Sequence, residues 1–325
     1  MNNTLICIIF SFLLIATSSL HAQPLPGPLI ETSWLADNLA EVTVIDVRTD
    51  LKSFKTKAVY IKNKKNRKKK LIKIGGHIPG ARLINYKNIR TTNNINGHKV
   101  QKMLPGKSEF EKLLQKNGIN KNSKIVIISK GKNSGDVSMA TRLYWQLKYY
   151  GHDNMAILNG GMAQWILDGR KISYSVTKPA KGNWQATTER KEILASTPYV
   201  SDALDNPSVQ IIDNRSIDLY LGTWKKPSVI SKGHIPGAKL YPNSIFTSHG
   251  FPAKFLKTDK IKSLSNSLGI DPDKEMITYC NSGHLSSGGW FLMHELLGNN
   301  NVKLYDGSMH EWALNKGNVK TMTLE

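Results

Sequence analysis

The chain has 325 residues, 40% of them hydrophobic and 21% charged, with 45 Lys and Arg against 24 Asp and Glu and a net charge of +21. That apolar content suffices for ordinary cores, and the length suits two domains of about 100–200 residues each. With only two cysteines, a disulfide-stapled scaffold is excluded.

Residues 1–22 read as a secretory signal peptide. An apolar core runs from Leu5 to Ala16, and Leu20-His21-Ala22 offers a cleavage site before Gln23. No Lys or Arg precedes the core, and the run is short for a membrane span. An uncleaved anchor is the alternative. Cys7 lies inside the apolar core, away from a lipoprotein position. Removal of the signal places the mature chain in the periplasm, with no stable membrane insertion and Cys280 as its lone thiol. Such a thiol is either a bystander or a reactive group.

An internal repeat organises the rest. Val44-Ile45-Asp46-Val47-Arg48 matches Ile211-Ile212-Asp213-Asn214-Arg215, and Gly76-His77-Ile78-Pro79-Gly80-Ala81 recurs as Gly233-His234-Ile235-Pro236-Gly237-Ala238. Leu158-Asn159-Gly160-Gly161-Met162 with Trp165 is answered by Tyr305-Asp306-Gly307-Ser308-Met309 with Trp312. The first copy has ten more residues between its first two elements, and the excess falls in a Lys-rich run from Leu51 to Gly75. That run carries Lys52, Lys55, Lys57, Lys62, Lys64, Lys65, Arg67, Lys68, Lys69, Lys70 and Lys73 without one acidic residue. It is an insertion, read as a solvated, mobile loop. Contact with an anionic surface is the other reading. Apart from Tyr60, no aromatic stacking pattern accompanies the run, so no nucleic-acid partner is expected.

In chain order, Val42–Val47, Lys124–Ile128 and Met155–Leu158 read as buried strands of the first copy. Val209–Asp213, Met276–Tyr279 and Val302–Tyr305 answer them in the second. Between them, Ser108-Glu109-Phe110-Glu111 reads as a capping box ahead of Leu113 and Leu114, closed by Gly118. Met139, Leu143, Leu147 and Tyr150 recur at helical spacing, as do Leu285, Leu292 and Leu296. Alternating strands and helices predict an α/β fold, each copy a parallel sheet with helices on both faces. The divisions are a first domain over 23–178, a linker over 179–192 and a second domain over 193–325.

Cys280 follows the strand ending at Tyr279 and precedes the helix-like stretch from Leu285 to Leu297. In a parallel sheet, ligands sit outside the carboxyl ends of the strands. Successive N–H groups in such a loop form a nest for an anion and lower a thiol pKa. Gly283 permits backbone angles that other residues resist. The first copy reads Ser129-Lys130-Gly131-Lys132-Asn133-Ser134-Gly135 at the same place and has no cysteine.

The Asp-x-Arg strand end, the Gly-His-Ile-Pro-Gly-Ala turn, the strand-Cys-loop-helix and the closing Asp-Gly-x-x-x-x-Trp together resemble the rhodanese family of sulfurtransferases. The likeness covers essentially the whole mature chain. It implies two rhodanese-like domains, an inactive first one that walls the site and a catalytic second one. It also implies a ping-pong cycle in which Cys280 takes sulfur from a donor such as thiosulfate. The Cys280 persulfide then passes that sulfur to cyanide or a thiol. Substrate would be held by Asn281, Ser282, Gly283 and His284, with Leu285, Ser286 and Arg215.

The six-residue loop from Cys280 to Leu285 fits the sulfur-transferring members, and no Arg follows Cys280, which argues against the related phosphatases. Asn281 and Ser282 stand where thiosulfate-preferring members carry basic residues. Only Ser282-Gly283 agrees with the Gly-Ser-Gly-Val-Thr of mercaptopyruvate-preferring members, so 3-mercaptopyruvate is the alternative donor. Leu219 stands where many tandem members have a substrate-binding arginine. His284 either supplies the missing charge or merely caps the helix or faces solvent.

Asp213 and Arg215 have a bracing role as their alternative, because Asp46 and Arg48 repeat them. His77 and His234 read as members of tight turns, and Trp165 and Trp312 as core plugs. No cofactor and no metal are expected. The rival from another class is a non-catalytic binding protein for an anionic partner.

Overall fold

The computed structural model describes residues 25–62, 69–176 and 178–322. The expected signal peptide with Cys7, and residues 63–68 of the Lys-rich run, lie outside the described residues.

The first half runs β1 (Leu29–Ile30), α1 (Thr32–Asp37), β2 (Thr43–Arg48), β3 (Val59–Lys62), β4 (Lys69–Lys73), β5 (Arg82–Asn85), β6 (Thr91–Ile95), β7 (His98–Met103), α2 (Lys107–Lys116), β8 (Ile125–Ile128), α3 (Ser134–Tyr149), β9 (Met155–Leu158) and α4 (Gly161–Leu167). The second runs β10 (Leu194–Ala195), α5 (Thr197–Ala203), β11 (Val209–Asp213), α6 (Ile217–Leu221), β12 (Lys239–Leu240), α7 (Thr258–Ser267), β13 (Glu275–Tyr279), α8 (His284–Trp290), β14 (Val302–Tyr305) and α9 (Ser308–Leu314). A π-helical segment, Phe291–Leu296, continues α8.

Two parallel sheets result, ordered β1-β9-β8-β2-β5 and β10-β14-β13-β11-β12. The order is the same under the repeat. Side chains of a strand alternate between faces, and the apolar runs use both. Ile125 and Ile127 enter one core, while Val126 and Ile128 enter another. One continuous core covers the inner faces of both sheets, fed by Phe110, Leu143, Ile261 and Trp290. The outer faces carry separate cores, sealed by Leu35 and Trp165 in the first domain and by Val200 and Trp312 in the second. Each domain therefore has helices on both faces, as the pattern predicts.

The shared inner core joins the domains along α3 and α8. Thr141 Oγ1 meets Ser287 Oγ at 2.9 Å, and Ser287 Oγ–H also reaches Ser138 O. Small residues permit this approach: a Cβ on Gly288 would lie 2.8 Å from Asn243 Nδ2 and 3.2 Å from Ser138 Oγ.

The repeated motifs do the same work twice. Arg48 and Arg215 each form a buried ion pair, with Asp46 and Asp213 respectively, and each donates to the carbonyl of a turn glycine, Gly76 or Gly233. His77 stacks on Phe54 and bonds its carbonyl, and His234 does the same with Tyr220. Trp165 and Trp312 are both buried plugs.

Two expectations differ from the structure. The capping box at Ser108 does not form: α2 starts at Lys107 with Gly106 as its N-cap, and Glu111 accepts the Ala186 N–H instead. Gly118 does end the helix, at φ +70°. The Lys-rich insertion is more than a solvated loop. Its flanks pair as the antiparallel hairpin β3–β4, because Leu71 and Ile74 are apolar enough to anchor it in the first domain's outer core. The segment after α4 is strapped down, with Trp184 buried edge-on against Phe110. Among the described residues no helix is long and apolar enough to cross a membrane.

Candidate active site

Cys280 leaves the carboxyl end of β13 with 1% of its surface exposed. Its sulfur is 3.5 Å from two donors, the Ser282 N–H and the Ser286 hydroxyl. Gly283 turns the chain into α8 at φ +68°. A Cβ there would lie 2.3 Å from Arg142 Nη1 and 2.5 Å from Asp306 Oδ1, so only glycine fits.

Ser308 holds this loop from below, and sequence reasoning missed it. Its Oγ accepts the N–H groups of Cys280 and Gly283, each at 3.1 Å, and donates to Tyr305 O. It does so at φ +50°, a region that non-glycine residues seldom occupy. Its counterpart in the first copy is Gly161, at φ +55°. Two further bonds, Met309 N–H to Cys280 O and His310 N–H to Asn281 O, fix the loop backbone.

The sulfur faces a cleft of about 520 Å³ between the domains. Asn281, Ser282, His284 and Leu285 line it with Cys280, while Tyr86, Arg90, Lys102, Lys130 and Lys132 come from the first domain and Lys226 from the second. Gly283 and Ser286 are buried behind the cleft. Arg215 is not brought to it. Its guanidinium is committed to Asp213 and Gly233 O and packs over the Tyr279 ring, the bracing role.

His284 is neither the missing cation nor a cap. Its Nδ1 lies 2.5 Å from the Tyr86 hydroxyl, and α8 has no side-chain cap. Burial, with Arg90 and Arg142 close by, pushes His284 down to about 3. Burial likewise pushes the Tyr86 hydroxyl up to about 12. At neutral pH both groups are therefore uncharged, and the tyrosine O–H donates to the imidazole. The positive charge comes from residues that sequence reasoning left out. Arg90 stacks over the Tyr86 ring at 4.1 Å, and Lys102 arrives on the β6–β7 hairpin. Neither belongs to a repeated motif, so only the packing of one copy against the other could reveal them.

The silent loop shows a different filling. At the helical position that Ser286 holds in α8, α3 carries Asp136, whose carboxylate accepts the Lys132 N–H at 3.1 Å. A side chain of the chain itself thus engages a loop amide in the silent copy.

A rhodanese-like domain model matches residues 31–168 and again 196–315. The chain belongs to the rhodanese family. Its one described cysteine, Cys280, lies in the second of the two matched regions. A Saccharopolyspora erythraea protein named "Putative thiosulfate sulfurtransferase" is 35% identical over 245 residues, 74% of this chain and 82% of that one. The "Sulfur carrier protein TtuD" of Thermus thermophilus is 27% identical over 302 residues, 89% of this chain and 94% of that one. Together these relatives support a sulfurtransferase-type function. Among solved structures, wild-type EanB shares the fold, with a TM-score of 0.72 and 20% identity over 91% of this chain and 69% of its own.

Proposed function

We propose that this rhodanese moves sulfane sulfur from an anionic donor such as thiosulfate to a thiophilic acceptor such as cyanide or a thiol. The Cys280 thiolate attacks the outer sulfur of thiosulfate. The S–S bond breaks, its electron pair leaves with sulfite, and Cys280 becomes a persulfide. The acceptor nucleophile then attacks the terminal sulfur, forming thiocyanate or an acceptor persulfide and returning the thiolate. No external oxidant or reductant is needed.

One observation carries the reading: Cys280 sits at the floor of a cationic interdomain cleft with two donors 3.5 Å from its sulfur. Those donors would stabilise the negative charge on the sulfur in both half-reactions. The first domain walls the cleft and lacks the nucleophile. 3-Mercaptopyruvate is the donor to test beside thiosulfate.

Cys280→Ser tests the assignment. Sulfur transfer should vanish while the thermal unfolding profile is kept, and retained transfer overturns it. The other reading, a non-catalytic protein that binds an anionic partner, draws on the lysines of the β3–β4 hairpin and on its exposed Val59, Tyr60, Ile61 and Ile72. Deleting Lys62 to Lys70 separates the two. The N-terminal segment points to export, and fractionation of expressing cells would find the mature chain in the periplasm.

A further inference from the structure

The active loop itself offers no cation. Asn281 and Ser282 are uncharged, and His284 is held neutral against Tyr86. A doubly charged donor would still have to be held next to a thiolate. The cations that line the cleft with Cys280 are Arg90, Lys102, Lys130, Lys132 and Lys226, and of these Lys130 is paired with Asp50.

Three features set Arg90 and Lys102 apart from ordinary surface charges. Among the described residues neither has a carboxylate within ion-pair distance, and Arg90 Nε is buried without an acceptor. The acid nearest in influence, Asp306, is already engaged by Arg142 at 2.5 Å and by the Leu104 N–H at 2.7 Å. Second, Lys102 is the extra residue of a β-bulge. Thr91 pairs with Met103 and Thr92 with Gln101, leaving Lys102 between them at φ +66°. A bulge re-aims a side chain, and a left-handed lysine is a conformation that the surrounding structure must enforce. Third, the hairpin is fastened to the second domain at both ends, by Leu104 N–H to Asp306 Oδ2 and by Asn96 Nδ2–H to Asn315 Oδ1. Asp306 lies two residues from the Ser308 that pins the Cys280 loop. The hairpin and the nucleophile are therefore held by one turn.

We propose that Arg90 and Lys102, delivered by the first domain's hairpin and joined by Lys226, form the clamp for the anionic leaving group of the sulfur donor. The clamp selects donors whose outer sulfur is attached to a doubly charged oxoanion. The first domain is then a contributor to substrate binding and more than a wall. Unpaired like charges gathered in one cleft repel each other, and a bound sulfonate relieves that repulsion. Burial and the neighbouring Arg90 hold the Lys102 ammonium below its usual range, in keeping with such crowding.

The proposal rests on the persulfide reading, and the test separates the two. Persulfide formation is measured with thiosulfate and with benzenethiosulfonate, which keeps the transferable sulfur but carries one negative charge fewer. Arg90→Gln and Lys102→Gln should each raise KM for thiosulfate on the order of tenfold, the size expected for losing one charge-assisted contact. The thiosulfate-to-benzenethiosulfonate ratio of kcat/KM should fall with it. Lys102→Arg should recover most of the loss. An unchanged KM and ratio overturn the clamp and leave the persulfide reading standing. Equal losses for both donors, with a lowered unfolding temperature, also overturn it in favour of a structural role. A wild-type protein that takes sulfur from neither donor overturns the clamp, and failure with 3-mercaptopyruvate as well overturns the persulfide reading.

Discussion

Ser308 Oγ accepts the backbone N–H of Cys280 at 3.1 Å, and the same oxygen accepts the N–H of Gly283. The hydroxyl thus sets the shape of the loop around the nucleophile. The position is left-handed in both copies, but the silent copy uses glycine. Ser308→Gly removes the hydroxyl without adding backbone strain. It should slow sulfur uptake by Cys280 about tenfold and cost about 1–2 kcal/mol of stability, since two buried N–H groups lose their acceptor. Single-turnover persulfide formation and denaturant unfolding check both figures. Ser308→Ala should be at least as damaging to the fold, because alanine keeps the strained backbone and lacks the acceptor.

His284 gives a pH test. Its pKa is pushed down to about 3, against an ordinary value near 6.5. The folded state therefore favours the neutral imidazole, whereas the unfolded chain gains a proton once the pH drops below about 6.5. The contribution to stability is present above that pH and is lost as the pH falls toward 3. His284→Gln should flatten this part of the profile: between pH 7 and pH 4.5 it should lose less stability than the wild type. The rate of sulfur uptake should show no inflection from His284 between pH 5 and pH 9. A wild-type inflection near 6.5 that vanishes in His284→Gln would mean that the imidazole does carry charge in the cleft.

Much of this was legible in the chain. The β-branched runs place the central strands within a residue or two, because Ile125–Ile128 and its counterparts are buried on both faces and admit no polar alternation. The repeat gave the order of elements, and the strand-to-helix junction marked Cys280. The rest depends on tertiary contact. Arg90 and Lys102 share the cleft with Cys280 from more than a domain's length away along the chain, so spacing carries no trace of the clamp. The state of His284 depends on Tyr86, 198 residues away. Ser108 failed as a cap because Gly106 supplied the extended residue that starts α2 earlier.

The silent domain yields a further expectation. Ser129 replaces the nucleophile there, but Asp136 also fills the loop. Restoring a cysteine with Ser129→Cys in a Cys280→Ser background should therefore not restore sulfur uptake. Adding Asp136→Ser should let some return, because the loop amides are then free to receive an anion. Mass spectrometry of each variant after exposure to thiosulfate checks this.

The Lys-rich hairpin lies on the outer core of the first domain, away from the residues that line the cleft. Deleting Lys62 to Lys70 should leave kcat/KM for thiosulfate within about twofold, given the small effects usual for surface changes. Any binding to anionic vesicles should weaken, and it should also weaken in the full chain as salt is raised. No turnover in the full chain, together with loss of an anionic partner on deletion, would favour the binding-protein reading.

The most direct measurement is the intact mass of the purified mature protein after incubation with thiosulfate and then with cyanide. Persulfide chemistry at Cys280 predicts a gain of one sulfur atom that cyanide removes and that Cys280→Ser never shows. A gain that survives in Cys280→Ser, or no gain with thiosulfate, benzenethiosulfonate or 3-mercaptopyruvate, would contradict it.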